Sequence, residues 1–443
     1  MKRFFSIILL ICSAAAVAAP PSAPETIAAG RAPYGGEVRV CASTDESAVS
    51  GFPQSKYIKP LGEWRRSGNG LYASSFGMPF AWVNRQVVLH VEWATLGYKV
   101  EVNGREVGFT RSGMIPTDFV ITKYVVDGRN EVVITPFLDA REGVLSSKDI
   151  FEIGRTYVQS APPMRVRDIV SRTTMGTDGK ALVEMGIVMK SEMLNPKSVR
   201  VYYELLTDDS VRLTIGHKEL SLDMQREDTV RFAVRIPDSC LWTQRRPHML
   251  RLDVRTQNNG KYLETETFRI GLREVKTDRR GLTSVNGKPA ALIVARVSGK
   301  VTAADIDALL KQGYNTVQPA AGVVDRSLYA LCDSMGMYAI AQVPVATKRW
   351  GDSRRKGGNP SNDNAWTESY VDRAEGVYHT LKGHPSVVAF SIAEESANGI
   401  CLYESYLRLK SFGDPRRVIY DDGGGEWNTD LLRRFNSPAE AGL

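Results

Sequence analysis

The hydrophobic period of this chain changes at about Lys276, and that change limits its possible folds more than any other feature. Upstream, apolar and polar residues alternate in short runs. VVLHVEWA (87–94), YKVEVNG (98–104) and NEVVITPF (130–137) read as half-buried strands, with turn signals at Asn103-Gly104 and Asp127-Gly128. Residues 34–160 are therefore expected to form one β-sandwich. Residues 161–275 repeat the style at a different spacing. RVRDIVSRTT, ALVEMGIVMK, RVYYELLT, TVRFAVRI, MLRLDVRT and ETETFRIG give about six or seven strands, as an immunoglobulin-like sandwich requires. Beyond Lys276 the strands become apolar throughout: ALIVARV (291–297), MYAIAQV (337–343) and PSVVAFSI (385–392). They alternate with helical patterns. TAADIDALLKQG (302–313) has an N-cap Thr and a closing Gly, LYALCDSMG follows, a longer helix spans roughly 363–382, and ICLYESYLRLKSFG precedes RRVIYD. Continuous apolar strands between amphipathic helices predict a parallel βα array over 276–443. The fold class is multidomain: two all-β sandwiches, then an α/β region.

The N-terminus predicts export. Lys2 and Arg3 precede an apolar run, Phe4 to Val17, that is too short to span a bilayer, and Ala16-Val17-Ala18 is a small-x-small cleavage site. Residues 1–18 read as a signal peptide, 19–33 as an Ala/Pro/Ser-rich linker, and the destination as periplasmic or secreted. Ile11 stands where a lipoprotein would place a small residue before Cys12. No other segment is apolar enough for a membrane span. Cys41, Cys240, Cys332 and Cys401 are far apart without a CxxC pair, which predicts free thiols and no metal site. The net charge of +7 comes from scattered Lys and Arg, so no nucleic-acid footprint is expected.

Several strings together resemble glycoside hydrolase family 2, the β-galactosidase-like enzymes. NGREVGF…PTDFVIT (103–122) resembles the family's sugar-binding sandwich. LWTQRRPHMLRLDV (241–254) resembles the end of its middle domain, and FRIGLREV…NGKPAALI (268–293) its entry into the barrel. LYALCDSMGMYAI (328–340), HPSVVAFSIAEESANG (384–399) and GDPRRVIYDDGGG…TD (413–430) resemble successive barrel strands, so the likeness runs collinearly from about residue 60 to 430. The resemblance implies a jelly-roll-like sandwich, an immunoglobulin-like sandwich and a (β/α)8 barrel with its site at the C-terminal strand ends. It implies retaining hydrolysis by an acid/base carboxyl and a nucleophilic carboxylate, with a carbohydrate as the partner.

Carried over residue by residue, the resemblance places the acid/base at Glu395, in a string matching the family's "NES.NG". The preceding Asn, which bonds a sugar hydroxyl, is Glu394 here. Glu394 is assigned to substrate binding, although an ionised carboxylate cannot donate as the amide does. Its side chain is expected to point elsewhere than that of its neighbour Glu395. Asp149 matches an aspartate that the sugar-binding domain lends to the pocket; its alternative role is a turn residue. Other positions depart. Where the family reads "DEAN.ETH", the chain has Ala346 and Lys348 for the magnesium-binding Glu and His, so no metal or other cofactor is expected. Ala321 replaces the sugar-contacting histidine of "R.SHYP", and "NRHEHHP" has no counterpart in 290–300. Trp350 and Trp366 are candidates for sugar stacking, with a structural role as the alternative.

The barrel segment is roughly 160 residues, where a complete barrel takes about 250. Five barrel strands are legible, ending at RRVIYD, and LLRRFNSPAEAGL does not resemble the approach to strand six. The family nucleophile lies on strand seven. The expectation is a β-glycosidase homologue, inactive as this single chain, with an open half-barrel exposing a sheet edge. The alternatives are a non-catalytic carbohydrate-binding or structural protein, or one half of a split hydrolase completed by a C-terminal fragment.

Overall fold

The computed structural model describes residues 57–442 apart from 69, 138–144, 146–149, 162, 192–198, 223–226 and 356. The expected signal peptide, the linker and Asp149 lie outside the described residues.

Two antiparallel sheets form the first sandwich. One joins Tyr57–Pro60, Thr156–Ala161, Gln86–Val91 and Thr117–Val120; the other joins Arg65–Arg66, Tyr72–Met78, Gly128–Pro136, Tyr98–Val102 and Arg105–Thr110. Tyr98, Val100 and Val102 point into the core, where they join Val87, Leu89, Val91, Val132 and Ile134. Asn103 and Gly104 both take positive φ (52° and 72°), which lets a two-residue turn follow the twist of the strands it joins.

The second sandwich sets a three-stranded sheet (Met164–Met175, Lys180–Ser191, Glu227–Pro237) on a four-stranded one (Arg212–Leu220, Val199–Leu206, Leu250–Asn258, Lys261–Ile270). Ala181, Val183, Met185 and Ile187 alternate inward along one strand and meet Val201, Leu252 and Phe268 from the facing sheet.

A three-stranded meander, Val275–Thr277, Thr283–Val285 and Lys288–Ala290, leads into the α/β region. There β1 (Leu292–Val297), β2 (Thr316–Pro319), β3 (Tyr338–Gln342), β4 (Val387–Ser391) and β5 (Arg417–Ile419) run parallel in sequence order. Between them lie α1 (Ala303–Lys311), α2 (Arg326–Met335), α3 (Thr367–Leu381) and α4 (Ile400–Ser411). Thr302 caps α1 in a reciprocal box with Asp305, and Gly336 closes α2 in the left-handed region.

Both faces of this parallel sheet are covered. Val317, Ala339, Ala341 and Val387 pack against the helices through Ile306, Leu328, Val377 and Leu402. Leu292, Val294, Tyr338, Ile340 and Ile419 face the other way, onto Trp242, Val275 and Val285. A buried Trp242, whose indole N–H donates to Asp333 O at 2.8 Å, thus joins the second sandwich, the meander and the barrel sheet.

The expected open edge is partly covered among the described residues. A sixth strand, β6 (Arg434–Phe435), returns to pair parallel with β1 through Leu292↔Arg434 and Ile293↔Phe435. At the opposite edge, the Asp430 carboxylate accepts the Val418 N–H at 3.0 Å, the Asp430 N–H bonds Val418 O at 2.8 Å, and Thr429 Oγ1 takes the Tyr420 N–H at 2.8 Å. The physical reason is that unpaired strand groups gain hydrogen bonds from any chain that can reach them. The 428–435 segment reaches both edges.

Candidate functional site

At the C-terminal ends of the parallel strands, the face carrying Leu292, Val294 and Ile340 turns polar. Arg296 continues the register of Leu292 and Val294 along β1. Its guanidinium donates to Glu394 Oε1 at 2.7 Å and to Asp421 Oδ2 at 3.2 Å. The second oxygen of Glu394 accepts the Ala321 N–H at 2.7 Å. Asp421 also pairs with Arg434 of β6. Arg434 donates in turn to Gln318 Oε1 at 2.5 Å, and Gln318 passes a hydrogen bond to Gln342 Oε1 at 3.0 Å. Two cations, two anions and two buried amides thus form a continuous network across β1, β2, β3 and the loops after β4 and β5. Burial and then the neighbouring Arg296 charge bring the Arg434 pKa down to about 10, so it remains a cation at neutral pH.

Glu394 therefore diverges from its neighbour Glu395 as expected, but it is Glu394, the residue expected to point away from the site, that faces inward. The backbone explains the divergence from its neighbour. Glu395 has a left-handed φ of 42°, a conformation uncommon for a non-glycine residue, which reverses the chain between the two side chains. Three contacts hold the turn. Asp422 Oδ2 accepts the Glu395 N–H at 2.7 Å, the Tyr420 hydroxyl lies 3.1 Å from the Ser396 N–H, and Ser396 Oγ accepts the Thr347 N–H at 3.0 Å. The Glu395 side chain is 61% exposed, with Lys348 Nζ 3.6 Å from its carboxylate.

The neighbouring carboxylates are engaged as well. Glu426 bonds Arg354 at 2.9 Å and the Asn398 amide at 3.1 Å. Trp366 is 2% exposed and packs in the helix-side core, so it has no face for a sugar. Trp350 is half-buried against the same core, with the Arg349 guanidinium 4.9 Å from its ring centre. Asp149 lies outside the described residues. Leu145, four residues earlier in the sequence, is described: it is buried in the barrel's helix-side core, and its carbonyl accepts the Ala346 N–H.

Sequence reasoning brought Glu394 and Glu395 to the strand-four end and missed Arg296, Asp421, Gln318 and Arg434. A signal was available for two of them. An arginine closing the apolar run ALIVA needs a buried partner, and Asp421 directly follows the strand RRVIY at the end where barrel sites form. Nothing local marks Arg434.

Comparison with known proteins agrees with this architecture. The family model for the sugar binding domain of glycosyl hydrolases family 2 matches residues 58–160, a further model described as glycosyl hydrolases family 2 matches 164–273, and the family's TIM barrel domain matches 294–437. The last match runs past residue 430, where the sequence resemblance was expected to end. The β-galactosidase of Priestia megaterium is 24% identical over 377 residues, covering 80% of this chain but 36% of that protein. The β-galactosidase of Psychromonas ingrahamii is 22% identical over 390 residues, covering 82% and 37%. The chain thus spans a little over a third of the length of these relatives. Among solved structures, a Bacteroides uniformis β-glucuronidase superposes with a TM-score of 0.68 at 15% identity, covering 82% of this chain and 48% of that one. A β-glycosidase from Bacteroides vulgatus gives 0.65 at 18% identity, covering 79% and 46%. With three family domains matched in order on the architecture described above, the chain belongs to glycosyl hydrolases family 2.

Proposed function

We propose that this chain binds carbohydrate at the strand ends of its barrel domain without hydrolysing β-glycosides. The observation that carries the reading is the engagement of the carboxylates there. Among the described residues, Glu394 is held by Arg296 and the Ala321 N–H, Asp421 by Arg296 and Arg434, and Glu426 by Arg354 and Asn398. Double displacement needs a free carboxylate below the sugar ring and an acid above it, about 5–5.5 Å apart. Glu395 is exposed and positioned to exchange a proton, and the exposed Asp422 beside it is engaged by the Glu395 N–H. General acid catalysis by one group contributes roughly 10²–10⁴-fold, well short of a glycosidase's acceleration. The β-galactosidases and β-glucuronidases that the chain resembles point to a β-linked sugar as the ligand.

An active hydrolase completed by a second fragment has less support. Incoming strands would have to displace β6 from β1 and Asp430 from β5, because part of each sheet edge is already hydrogen-bonded by the chain itself. Ala346 and Lys348 offer no oxygen ligand where the resemblance places the family's magnesium. The test is purified protein at high concentration with aryl β-galactosides and aryl β-glucuronides, beside Glu395→Gln. The reading expects no turnover above the Glu395→Gln background. Turnover lost in that variant would overturn it.

A further inference from the structure

We propose that Trp427, on the loop after β5, is a stacking platform for one sugar ring of a neutral β-linked glycan. The proposal rests on the carbohydrate-binding reading above and names a contact for it. Trp427 is 58% exposed on a chain segment fixed on both sides. Glu426 to Thr429 forms a turn closed by the Thr429 N–H to Glu426 O bond at 3.2 Å. Asn428 within it is 1% exposed and bonded to the amide of Asn398, and Thr429 Oγ1 holds the Tyr420 N–H at 2.8 Å. Tyr403 of α4 meets the indole edge-on, with ring centroids 3.8 Å apart and planes at 74°. The ring is therefore ordered, and still more than half in water. An aromatic side chain gains by burial, so a fixed turn that presents one to solvent forgoes stabilisation a core position would supply.

The surroundings favour a sugar over a protein surface. Its chain neighbours are polar and engaged: Glu426 in an ion pair with Arg354 and a bond from Asn398, and Asn428 in an amide pair with Asn398. An apolar plate flanked in sequence by hydrogen-bonding side chains matches a pyranose, which offers C–H groups on its face and hydroxyls around its rim. The platform also lies at the candidate site. Glu426 bonds Asn398, three residues after Glu395 and so no more than about 11 Å along the chain from it. A short oligosaccharide could touch both.

The test is affinity electrophoresis of wild type, Trp427→Ala and Trp427→Phe through gels containing β-1,4-galactan, hydroxyethyl cellulose or laminarin, with melting curves on each protein. The platform predicts retardation of wild type in at least one gel, about tenfold weaker association for Trp427→Ala, and most of the affinity kept by Trp427→Phe. Equal retardation of wild type and Trp427→Ala would overturn the platform and leave carbohydrate binding standing. Absence of retardation in every gel would overturn both. Self-association that vanishes in Trp427→Ala, without retardation, would assign the ring to a protein contact and overturn the proposal.

Discussion

Arg434 closes the polar network at the strand ends, and its removal is the sharpest single-residue probe of it. Arg434→Ala leaves Gln318 Oε1 buried without its donor and Asp421 with Arg296 alone. The expected cost is about 1–3 kcal/mol in urea unfolding. Arg434→Lys is expected to recover only part of it, because an ammonium cannot bond Asp421 and Gln318 through one rigid fork. A second residue-scale prediction concerns the junction of the first sandwich with the barrel. There Arg326 at the start of α2 donates to Glu92 at 2.8 Å, and the buried His90 bonds Glu92 at 2.9 Å and Asp118 at 2.8 Å. Burial raises the Glu92 pKa, but hydrogen bonds from His90 and Arg326 and their charges outweigh it, and the carboxyl falls from 4.5 to about 2. A depressed carboxyl stabilises the fold above its unfolded value and loses that contribution as pH falls through its folded value. Unfolding measured between pH 5 and about 2 should therefore show a loss of up to about 3 kcal/mol, which Glu92→Gln removes from the profile.

Elements differed in how much of them the sequence disclosed. The α1 boundary was legible because Thr302, Asp305 and Gly313 act on their own turns, and the α2 end because Gly336 supplies a left-handed residue. The buried strands β3 and β4 were legible because both faces are covered, which demands apolar residues throughout. The tail was not. Two residues pairing with a strand far upstream leave no periodic trace, and the side-chain caps on β5 depend on where the loop returns. Which of Glu394 and Glu395 turns inward was hidden for a similar reason, since it follows from the backbone reversal at Glu395. The closing of β5 can be tested directly. Asp430 accepts from the Val418 N–H, from the Tyr406 hydroxyl at 2.9 Å and from Lys410 at 2.9 Å. Asp430→Ala is expected to speed amide exchange at Val418 well beyond that at Ile340 in β3, and to cost about 2–3 kcal/mol. Unchanged exchange at Val418 would mean that the edge is covered in some other way.

For the whole molecule, the two sandwiches and the barrel sheet are joined through Trp242, the Arg326–Glu92 pair and the buried Leu145. The family architecture persists, and the proposed function holds that the strand-end chemistry differs. Charge where the resemblance places the family's magnesium gives one consequence. Millimolar magnesium should leave the melting temperature unchanged, because Lys348 beside Glu395 repels a cation; a rise abolished in Glu395→Gln would count against this. The central claim of the proposed function is that none of the described strand-end carboxylates acts as a nucleophile toward a sugar. Intact-protein mass spectrometry after prolonged incubation with activated 2-deoxy-2-fluoro-β-galactoside and β-glucuronide reagents tests it most directly, since these trap a glycosyl-enzyme wherever a nucleophile exists. The account predicts an unmodified mass. A gain of one fluoroglycosyl unit, mapped by peptide sequencing to an Asp or Glu, would contradict it.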